Sequence, residues 1–419
     1  MHAIEKILCR ASGKDAVAVG EIVMARIDFA EVNDIYLQTL RSFFEMGGEK
    51  VWDRKRVAFT FDHYAPCPTI QAAAIHKEMR SFAIDNELIH HFDINAGVCH
   101  QVMAEAGVVC PGMVVIATDS HTTTHGAFGA LGTGVGATDM ATAMISGELW
   151  MRMPEIVEMR IDGTPPAGVY PKDVILHLLG KIKADGAVYK AIDFTGSYVE
   201  NLNMSGRMVL CNMAVEMGAK TAYIQPSAEV LDFIAQRAAF PYQVQDTDQG
   251  YVYAESFSFN VSKLSPQVAA PHSVDNVHSI EEIGPVEVHQ GFIGSCTGGR
   301  TEDIAIAAAI LKGKKIPRYR RLIVIPASAA VMAECMEKGY IRELMDAGAT
   351  ISTPGCGPCL GAHEGVLAPG EVAVTATNRN FPGRMGSTGA DIYLASPATV
   401  AASILNGRIT DPRAALSQR

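Results

Sequence analysis

Three of the nine cysteines lie in two glycine-framed turns, Gly294-Ser295-Cys296-Thr297-Gly298-Gly299-Arg300 and Pro354-Gly355-Cys356-Gly357-Pro358-Cys359. Glycines in such turns bring backbone N–H groups close to thiolate and sulfide, which stabilises the negative charge of an iron–sulfur cluster. Three thiolates suit a 4Fe–4S cluster whose fourth iron has no protein ligand. Such an iron can bind a substrate oxygen as a Lewis acid, so the turns indicate chemistry on a hydroxy acid.

Two other interpretations of these cysteines stay open. Cys356 and Cys359 alone would suit a zinc knuckle or a redox dithiol about as well as a cluster. Zinc needs four ligands, and Cys296 and His363 could complete the set. The position of Cys296 in a second glycine turn at a predicted strand end favours the cluster over both alternatives.

Strand-like runs alternate with helical patterns along most of the chain, which predicts an α/β fold with mostly parallel sheets and helices on their faces. The predicted strands cover residues 57–61, 113–117, 156–161, 286–293, 321–325, 350–353 and 371–375. The predicted helices cover residues 69–86, 138–150, 172–183, 207–217, 302–311 and 327–345. Polar motifs follow five of these strands, and ligands of open α/β sheets bind at the carboxyl ends of strands.

Acid–imidazole pairs stand at two of these strand ends, Asp62-His63 and Asp119-Ser120-His121, and His100 adds a third imidazole. A carboxylate can fix the tautomer of a histidine and raise its basicity. An imidazolium can neutralise a bound diacid or protonate a leaving hydroxyl. One pair alone would be explained by a capping side chain beside a solvated histidine, but recurrence at several strand ends favours a site.

Arginine and amide side chains complete the candidates. Arg379 and Arg384 have the fork geometry that binds carboxylates, although a lone arginine commonly ends in a surface ion pair. Arg300 is a weaker candidate of the same kind. Asn212 and Glu216 lie four residues apart in a strongly apolar stretch, so buried polar roles are favoured over a solvated helix face.

Composition excludes several classes of protein. With 419 residues, 48% hydrophobic and 19% charged, the chain is expected to form two or three packed domains. The net charge of −10 leaves one basic stretch, 312–321, as the only support for nucleic-acid binding. No run suits a membrane span, and the charged N-terminus is not a signal peptide. Cysteines in apolar contexts favour reduced thiols in the cytoplasm over disulfides.

The glycine run 132–138 is interpreted as close packing and helix entry.

Four motifs, in order along the chain, resemble those of the aconitase superfamily, specifically the short, separately encoded large subunits of 3-isopropylmalate dehydratase and homoaconitase. They are Thr118–His121, Gly294–Thr297, Pro354–Gly361 and Asn378–Arg384. The resemblance implies three α/β domains around a central iron–sulfur site, for which we expect the limits 1–155, 156–283 and 284–419. It also implies a hydro-lyase that moves a hydroxyl between adjacent carbons of a malate-type diacid, foremost 2-isopropylmalate in leucine biosynthesis. Alternatives are 2,3-dimethylmalate, citramalate and homoaconitate hydro-lyases, and more remotely an RNA-binding or zinc-structured non-catalytic protein.

The resemblance also assigns roles, motif by motif. The expected ligands of a 4Fe–4S cluster with one iron free of protein ligands are Cys296, Cys356 and Cys359. The expected catalytic residues are Asp62, His63, His100, Asp119, Ser120, His121 and Glu216. The expected substrate-binding residues are Asn33, Arg379 and Arg384, and Asn212 and Asn378 are expected around the cluster.

Two further expectations concern the partner and the substrate. The family's full-length members carry a swivelling domain with a serine base, and no such segment follows the third predicted domain here. We therefore expect a separate small subunit to complete the site, with no nucleic-acid or membrane partner. Asn33 and Tyr36 depart from the family's usual His and small hydroxyl residue, Gly298 from an asparagine, and 387–390 from an Asn-Pro stretch. These departures bear on which small diacid binds.

Overall fold

Short runs of β-branched and aromatic residues form strands in a computed structural model, which describes residues 1–416. The strands are β1 (Ile22–Arg26), β2 (Phe29–Asn33), β3 (Val57–Thr60), β4 (His90–Phe92), β5 (Val114–Ala117), β6 (Leu131–Gly134), β7 (Glu148–Arg152), β8 (Ile156–Asp162), β9 (Ala191–Thr195), β10 (Thr221–Tyr223), β11 (Glu255–Asn260), β12 (Gln267–Ala269), β13 (Val277–Ser279), β14 (Gln290–Ile293), β15 (Arg321–Val324), β16 (Thr350–Ile351), β17 (Val372–Thr375) and β18 (Asp391–Ala395).

Helices connect most of these strands. They are α1 (Ala3–Ser12), α2 (Leu37–Glu45), α3 (Ile70–Asp85), α4 (Cys99–Glu105), α5 (Ala137–Ser146), α6 (Pro171–Ile182), α7 (Ser197–Glu200), α8 (Met204–Met213), α9 (Ala228–Ala235), α10 (Ser295–Gly298), α11 (Thr301–Leu311), α12 (Ala329–Glu337), α13 (Tyr340–Ala347), α14 (Pro397–Asn406) and α15 (Arg413–Leu416). Four 3-10 turns cover Ser120–Phe128, Ala214–Met217, Ile280–Glu282 and Gly357–Leu360.

The strands form three larger sheets and one antiparallel ribbon. The first sheet has the order β4-β3-β2-β5-β6 and the second β10-β9-β8-β11, and every pair in both is parallel. The third has the order β13-β12-β18-β17-β14-β15-β16 and is parallel except where β12 pairs. Strands β1 and β7 form the ribbon. The predicted α/β fold with mostly parallel sheets is therefore confirmed.

Three elements differ from the sequence prediction. The predicted helix 138–150 ends at Ser146, because Gly147 adopts φ +74° and the chain turns into β7. The predicted helix 327–345 is divided at Gly339, which adopts φ +78° between α12 and α13. The glycine run contains the strand β6, which the sequence did not predict. Close packing there is confirmed, since a Cβ added at Gly132 would lie 2.3 Å from the Thr122 carbonyl oxygen.

Strands of the third sheet begin shortly before residue 284, the predicted start of the third domain. Strands β12 and β13 precede residue 284, yet β12 hydrogen-bonds to β18 in the third sheet. The stretch 243–274 also contains β11, which pairs with β8 and so belongs to the second sheet. The domain limits 1–155, 156–283 and 284–419 stay a prediction. Strand pairing places residues 267–279 in the third sheet.

One hydrophobic core extends beneath the strand ends that carry the cysteine turns. Strand β5, Val-Val-Ile-Ala, is buried on both faces, as expected for a parallel strand covered by helices. One hydrophobic cluster joins Phe128 and Leu179 to the three turn cysteines, so the candidate site rests directly on packed side chains. Within residues 1–416, none of the helices has the length and apolar character needed to cross a bilayer.

Candidate functional site

The two cysteine turns follow β14 and β16, parallel strands of the third sheet that lie on either side of β15. Cys296 is the second residue of the short helix α10 after β14, and Ser295, which begins the helix, adopts a left-handed φ of +65°. Cys356 immediately precedes the 3-10 turn after β16 and Cys359 lies within it, and Gly357 between them adopts φ +56°. A Cβ added at Gly357 would lie 2.2 Å from Ile325 Cδ1, so only glycine fits this turn.

The three cysteines suit a group larger than a single metal ion. All three are buried, and none of the nine cysteines forms a disulfide. Among the described residues, one group of three possible ligand side chains has its donor atoms within 4.8 Å of one another, and it is Asp62, His63 and Cys356 rather than the cysteine trio. A tetrahedral zinc ion with Zn–S bonds of about 2.3 Å needs its ligand atoms closer together than that limit. The three cysteine sulfurs do not all lie that close together, which favours a group larger than one zinc ion.

The thiols sit among groups that stabilise negative charge. Asn378 Nδ2 donates to Cys296 Sγ at 3.5 Å, and Arg384 Nη2 donates to Cys359 Sγ at 3.4 Å. Burial raises the pKa of Cys296 to about 12 in the absence of a metal, and burial likewise raises the pKa of Cys356. Bound iron would supply the positive charge that such buried thiolates need. These donors and this burial fit the chemistry of a cluster site.

A wall of acid–imidazole pairs lies beside the second cysteine turn. Cys356 N–H donates to the Asp62 carbonyl oxygen at 2.8 Å, and the Asp62 carboxylate contacts His63 Nδ1 at 2.7 Å. The opposite ring nitrogen, His63 Nε2, lies 3.8 Å from Asp119 Oδ2. Burial opposes the charged imidazolium, but Cys356, Asp62 and Asp34 outweigh it and raise the pKa of His63 well above its usual value. The predicted grouping of 62–63 with 119 is therefore present.

Asp119 is the centre of this wall. Its Oδ1 lies 3.1 Å from His100 Nε2 and accepts the His121 backbone N–H at 2.7 Å. Burial opposes the charge of the carboxylate, but His100 and His121 outweigh it and hold the pKa of Asp119 well below its usual value. An ionised Asp119 can thus orient two imidazoles at once, which is the arrangement required of a proton-transfer site.

Glu216 joins this wall to the third sheet. Its Oε1 lies 2.7 Å from His121 Nε2 and accepts from Arg379 Nε at 2.8 Å. Arg379 Nη2 also donates to Ser120 Oγ at 3.0 Å. Burial opposes ionisation of Glu216, but His121 and Arg379 outweigh it and lower its pKa. The Glu216 carboxylate, in the 3-10 turn that follows α8, therefore contacts His121, which follows a strand of the first sheet, and Arg379, which follows a strand of the third.

The remaining candidates lie around this centre. The Asn212 amide group donates from Nδ2 to Thr124 Oγ1 at 2.8 Å and accepts from Asn378 Nδ2, which connects the two asparagines to Cys296, and their place around a cluster stays a prediction. Arg300 is not a free carboxylate clamp, because its Nη2 donates to the Cys296 carbonyl oxygen at 2.6 Å.

Gly298 faces Ala376, and an added Cβ would lie 2.4 Å from Ala376 Cβ, so this turn has no space for an asparagine.

Asn33 lies beneath the wall at the end of β2. Its Oδ1 accepts from Thr118 Oγ1 at 3.0 Å, while its buried Nδ2 has no hydrogen-bond partner among residues 1–416. Tyr36 lines a neighbouring cleft together with Ser120.

The sequence did not single out Asp34, which accepts from the His63 N–H at 3.1 Å and contacts His76 Nε2 at 2.9 Å. Its position one residue after Asn33 in an apolar strand was the available signal.

Glu31 is a second residue that the sequence did not reveal. It shares a face of β2 with Asn33, is fully buried, and has no hydrogen-bond partner on either carboxylate oxygen in the described part of the chain. The Thr60 hydroxyl approaches the carboxyl without reaching hydrogen-bond geometry. Burial, with the repulsion of Asp62, raises the pKa of Glu31 well above its ordinary value of 4.5. Side chains alternate between the two faces of a strand, so the sequence pattern of β2 could have placed the Glu31 carboxyl on the same face as Phe29 and Asn33.

Replacing Glu31 by glutamine is expected to remove part of the pH dependence of stability. The folded carboxyl keeps its proton where the unfolded chain has lost it, so this group's contribution falls as pH rises above 4.5. Glutamine does not titrate, and at about pH 8 the variant should be more stable by about 1–3 kcal/mol. Urea unfolding at about pH 5.5 and pH 8, with exposed Glu45→Gln as the control, measures this. Parallel pH profiles for wild type and E31Q would contradict it.

Comparisons with known proteins agree with this site. Residues 15–407 match the Aconitase family (aconitate hydratase). The chain is 49% identical to 3-isopropylmalate dehydratase large subunit 1 of Methanopyrus kandleri, over 98% of each chain. It is 45% identical to the probable methanogen homoaconitase large subunit of Methanothermobacter thermautotrophicus, over 99% of this chain and 98% of that one. The holo-form of Thermococcus kodakaraensis aconitase X shares the fold, with a TM-score of 0.50 at 14% identity over 85% and 84% of the two chains.

Proposed function

This chain belongs to the aconitase family and is a hydro-lyase, and we propose that it is the large subunit of a 3-isopropylmalate dehydratase. The enzyme would move a hydroxyl between adjacent carbons of isopropylmalate by loss and re-addition of water. The observation that carries the proposal is the meeting of Asp119, His121 and Glu216 beside the two cysteine turns. Identity to dehydratase large subunits over almost the whole chain supports the same assignment.

Cys296, Cys356 and Cys359 would hold the 4Fe–4S cluster. When bound, the cluster supplies Lewis acidity toward the hydroxyl and a carboxylate of the substrate, through an iron without a protein ligand. Asn378 and Arg384, which donate to Cys296 and Cys359, would stabilise the negative charge on the sulfurs. Both donors belong to this chain, so the protein itself would organise this side of the site.

The acid–imidazole wall would transfer the proton that leaves with the hydroxyl. Asp119 stays ionised and fixes His100 and His121, so either imidazole can present a proton toward the substrate. In the reverse direction the same imidazole takes a proton from water, as microscopic reversibility requires. Asp62 would fix His63 in the same way on the other side of Asp119. Burial of the wall would keep bulk water away from the proton.

Arg379 would bind a substrate carboxylate. Glu216 fixes the guanidinium through Nε and Ser120 accepts from Nη2, and the remaining N–H groups are available to a bound carboxylate. Asn33 Nδ2 and Arg384 Nε are among the buried donors that lack partners in the described part of the chain. A diacid would satisfy these donors, which is why we assign all three residues to substrate binding.

We further propose that a separate small subunit supplies the base that removes the carbon-bound proton. The histidines of the wall are already held by Asp62, Asp119 and Glu216, which suits them to the oxygen side of the reaction. Relatives at 42–49% identity are named as large subunits, which supports a second chain. We place the complex in the cytoplasm, since all nine cysteines are free thiols.

The cleft beside Ser120 bears on the choice between isopropylmalate and homoaconitate as the substrate. It is lined by Tyr36 and by the apolar side chains of Val135, Val215 and Ala219, with Lys220 as the one cation of its wall. Lys220 Nζ already donates to the Gly134 carbonyl oxygen at 3.2 Å. The apolar side chains suit an isopropyl group, whereas Lys220, with N–H groups left over, and the hydroxyls of Thr118, Ser120 and Thr133 suit a carboxylate, so turnover decides between the two substrates.

Turnover of isopropylmalate and homocitrate by the cluster-loaded complex tests this assignment. We expect kcat/KM for isopropylmalate to exceed that for homocitrate by about tenfold or more, because pocket discrimination of this kind has that size. The ultraviolet absorbance of the unsaturated product gives the rate of turnover with each of the two substrates. A preference for homocitrate would assign the chain to the homoaconitases instead. Turnover of neither isopropylmalate nor homocitrate, with dimethylmalate or citramalate consumed, would move it to those hydro-lyases.

A further inference from the structure

A buried lysine lies beneath the candidate cluster site and belongs to none of the motifs. Lys172 follows Pro171 in the first turn of α6 and is only 2% exposed. Its Nζ donates to the carbonyl oxygens of Ala376 at 3.1 Å and Thr377 at 2.5 Å, and lies 3.1 Å from Met213 Sδ. The ammonium group therefore has neutral partners only.

No carboxylate in the described part of the chain forms an ion pair with Lys172, although Glu216 and Asp303 lie near enough to raise its pKa. Among the ion pairs of residues 1–416, none includes Lys172, although the side chain is buried. A buried ammonium group without a counter-charge is strongly disfavoured, so sequences retain one only where an anion lies close by. Burial lowers the pKa of Lys172 to about 8, and the leading groups that oppose this shift are Cys296 and Cys359, ahead of Glu216.

The backbone that Lys172 holds leads directly to the cysteines. Ala376 and Thr377 immediately precede Asn378, whose amide donates to Cys296 Sγ at 3.5 Å. Ala376 O also accepts from Thr297 Oγ1 at 2.8 Å, in the turn of Cys296 itself. Lys172 thus fixes the segment that follows β17, and the Ala376 carbonyl oxygen that it binds also contacts the first cysteine turn.

We propose that Lys172 is a positioning residue that supplies the buried counter-charge of the iron–sulfur cluster and fixes the 376–378 segment that directs Asn378 at Cys296. The inference rests on the proposed cluster. A cluster with three thiolate ligands is anionic, and its charge supplies the counter-ion that the protein does not. Lys172 acts through charge and through backbone contacts, without touching substrate.

Three variants test this role in the reconstituted full chain. Lys172→Met keeps length and apolar contacts but removes the charge, and Lys172→Arg keeps the charge. Lys181→Met, on the exposed end of the same helix, is the matched control. We expect K172M to release iron to a chelator about 10–100-fold faster than wild type, the usual cost of losing a partner outside the ligand set. We also expect a more negative midpoint potential, because adding an electron beside a lost cation is harder.

A second readout separates this role from a merely structural one. In the cluster-free protein, K172M removes an unbalanced buried charge, so its thermal midpoint should be no lower than that of cluster-free wild type. K172R and K181M should retain wild-type potentials. Equal iron release and equal potentials in K172M and wild type would overturn the inference while leaving the cluster in place. Absence of iron and sulfide from wild type would instead overturn the proposed function.

Discussion

Replacing Cys359 by serine is expected to abolish cluster binding and dehydratase activity together. A neutral hydroxyl is a far poorer ligand for iron than a thiolate, and Arg384 Nη2 would lose the sulfur to which it donates. Activity should fall by more than about 100-fold, since even outer partners of a metal site cost about 10–100-fold. Iron and sulfide content and turnover of isopropylmalate by the complex measure both effects.

Cys335→Ser is the matched control for this substitution. Cys335 is fully buried in α12 of the same unit, but it lies outside both cysteine turns. It should lose some stability while keeping iron, sulfide and turnover. Full activity in C359S, or equal loss of iron in C335S, would show that the turn cysteines do not hold the cluster.

The chain without its small subunit is expected to load a cluster yet give no turnover. The three cysteines and their donors Asn378 and Arg384 all belong to this chain, so cluster assembly needs no second protein. The base for the carbon-bound proton is assigned to the partner, and an enzyme without its base loses proton abstraction altogether. Mixing the cluster-loaded chain with separately expressed small subunit, and following the unsaturated diacid, measures the gain.

The cluster content of the isolated chain is the control for this experiment. Equal iron and sulfide in the chain and in the complex would assign the gain in activity to the added subunit. His121→Asn in the reconstituted complex should then return activity to background, because His121 links Asp119 to Glu216. Turnover by the chain alone at the rate of the complex would show that it contains its own base.

Much of the site followed from residue types at strand ends. Parallel strands bring their carboxyl ends to one edge of a sheet, so the motifs after β3, β5, β14, β16 and β17 could be expected to converge. The structure joins them through contacts such as His63 with Asp119 and Arg379 with Glu216. The fold class followed from the same strand–turn–helix repetition, and it is confirmed.

What the sequence did not reveal depends on contacts between distant segments. Lys172 precedes Ala376 by more than two hundred residues, so no local pattern could show that its ammonium binds that carbonyl. Strand β6 was hidden because glycines pack closely against the Thr122 carbonyl, a tertiary constraint that overrides strand propensity. Strand β12 crosses the expected boundary because pairing with β18, rather than position along the chain, decides its sheet.

The most direct test of the account is the amount of iron and acid-labile sulfide per chain after anaerobic purification and reconstitution. The account predicts about four of each, as a 4Fe–4S cluster requires. Neither element, or zinc in place of both, would contradict it and return Cys296, Cys356 and Cys359 to a structural role.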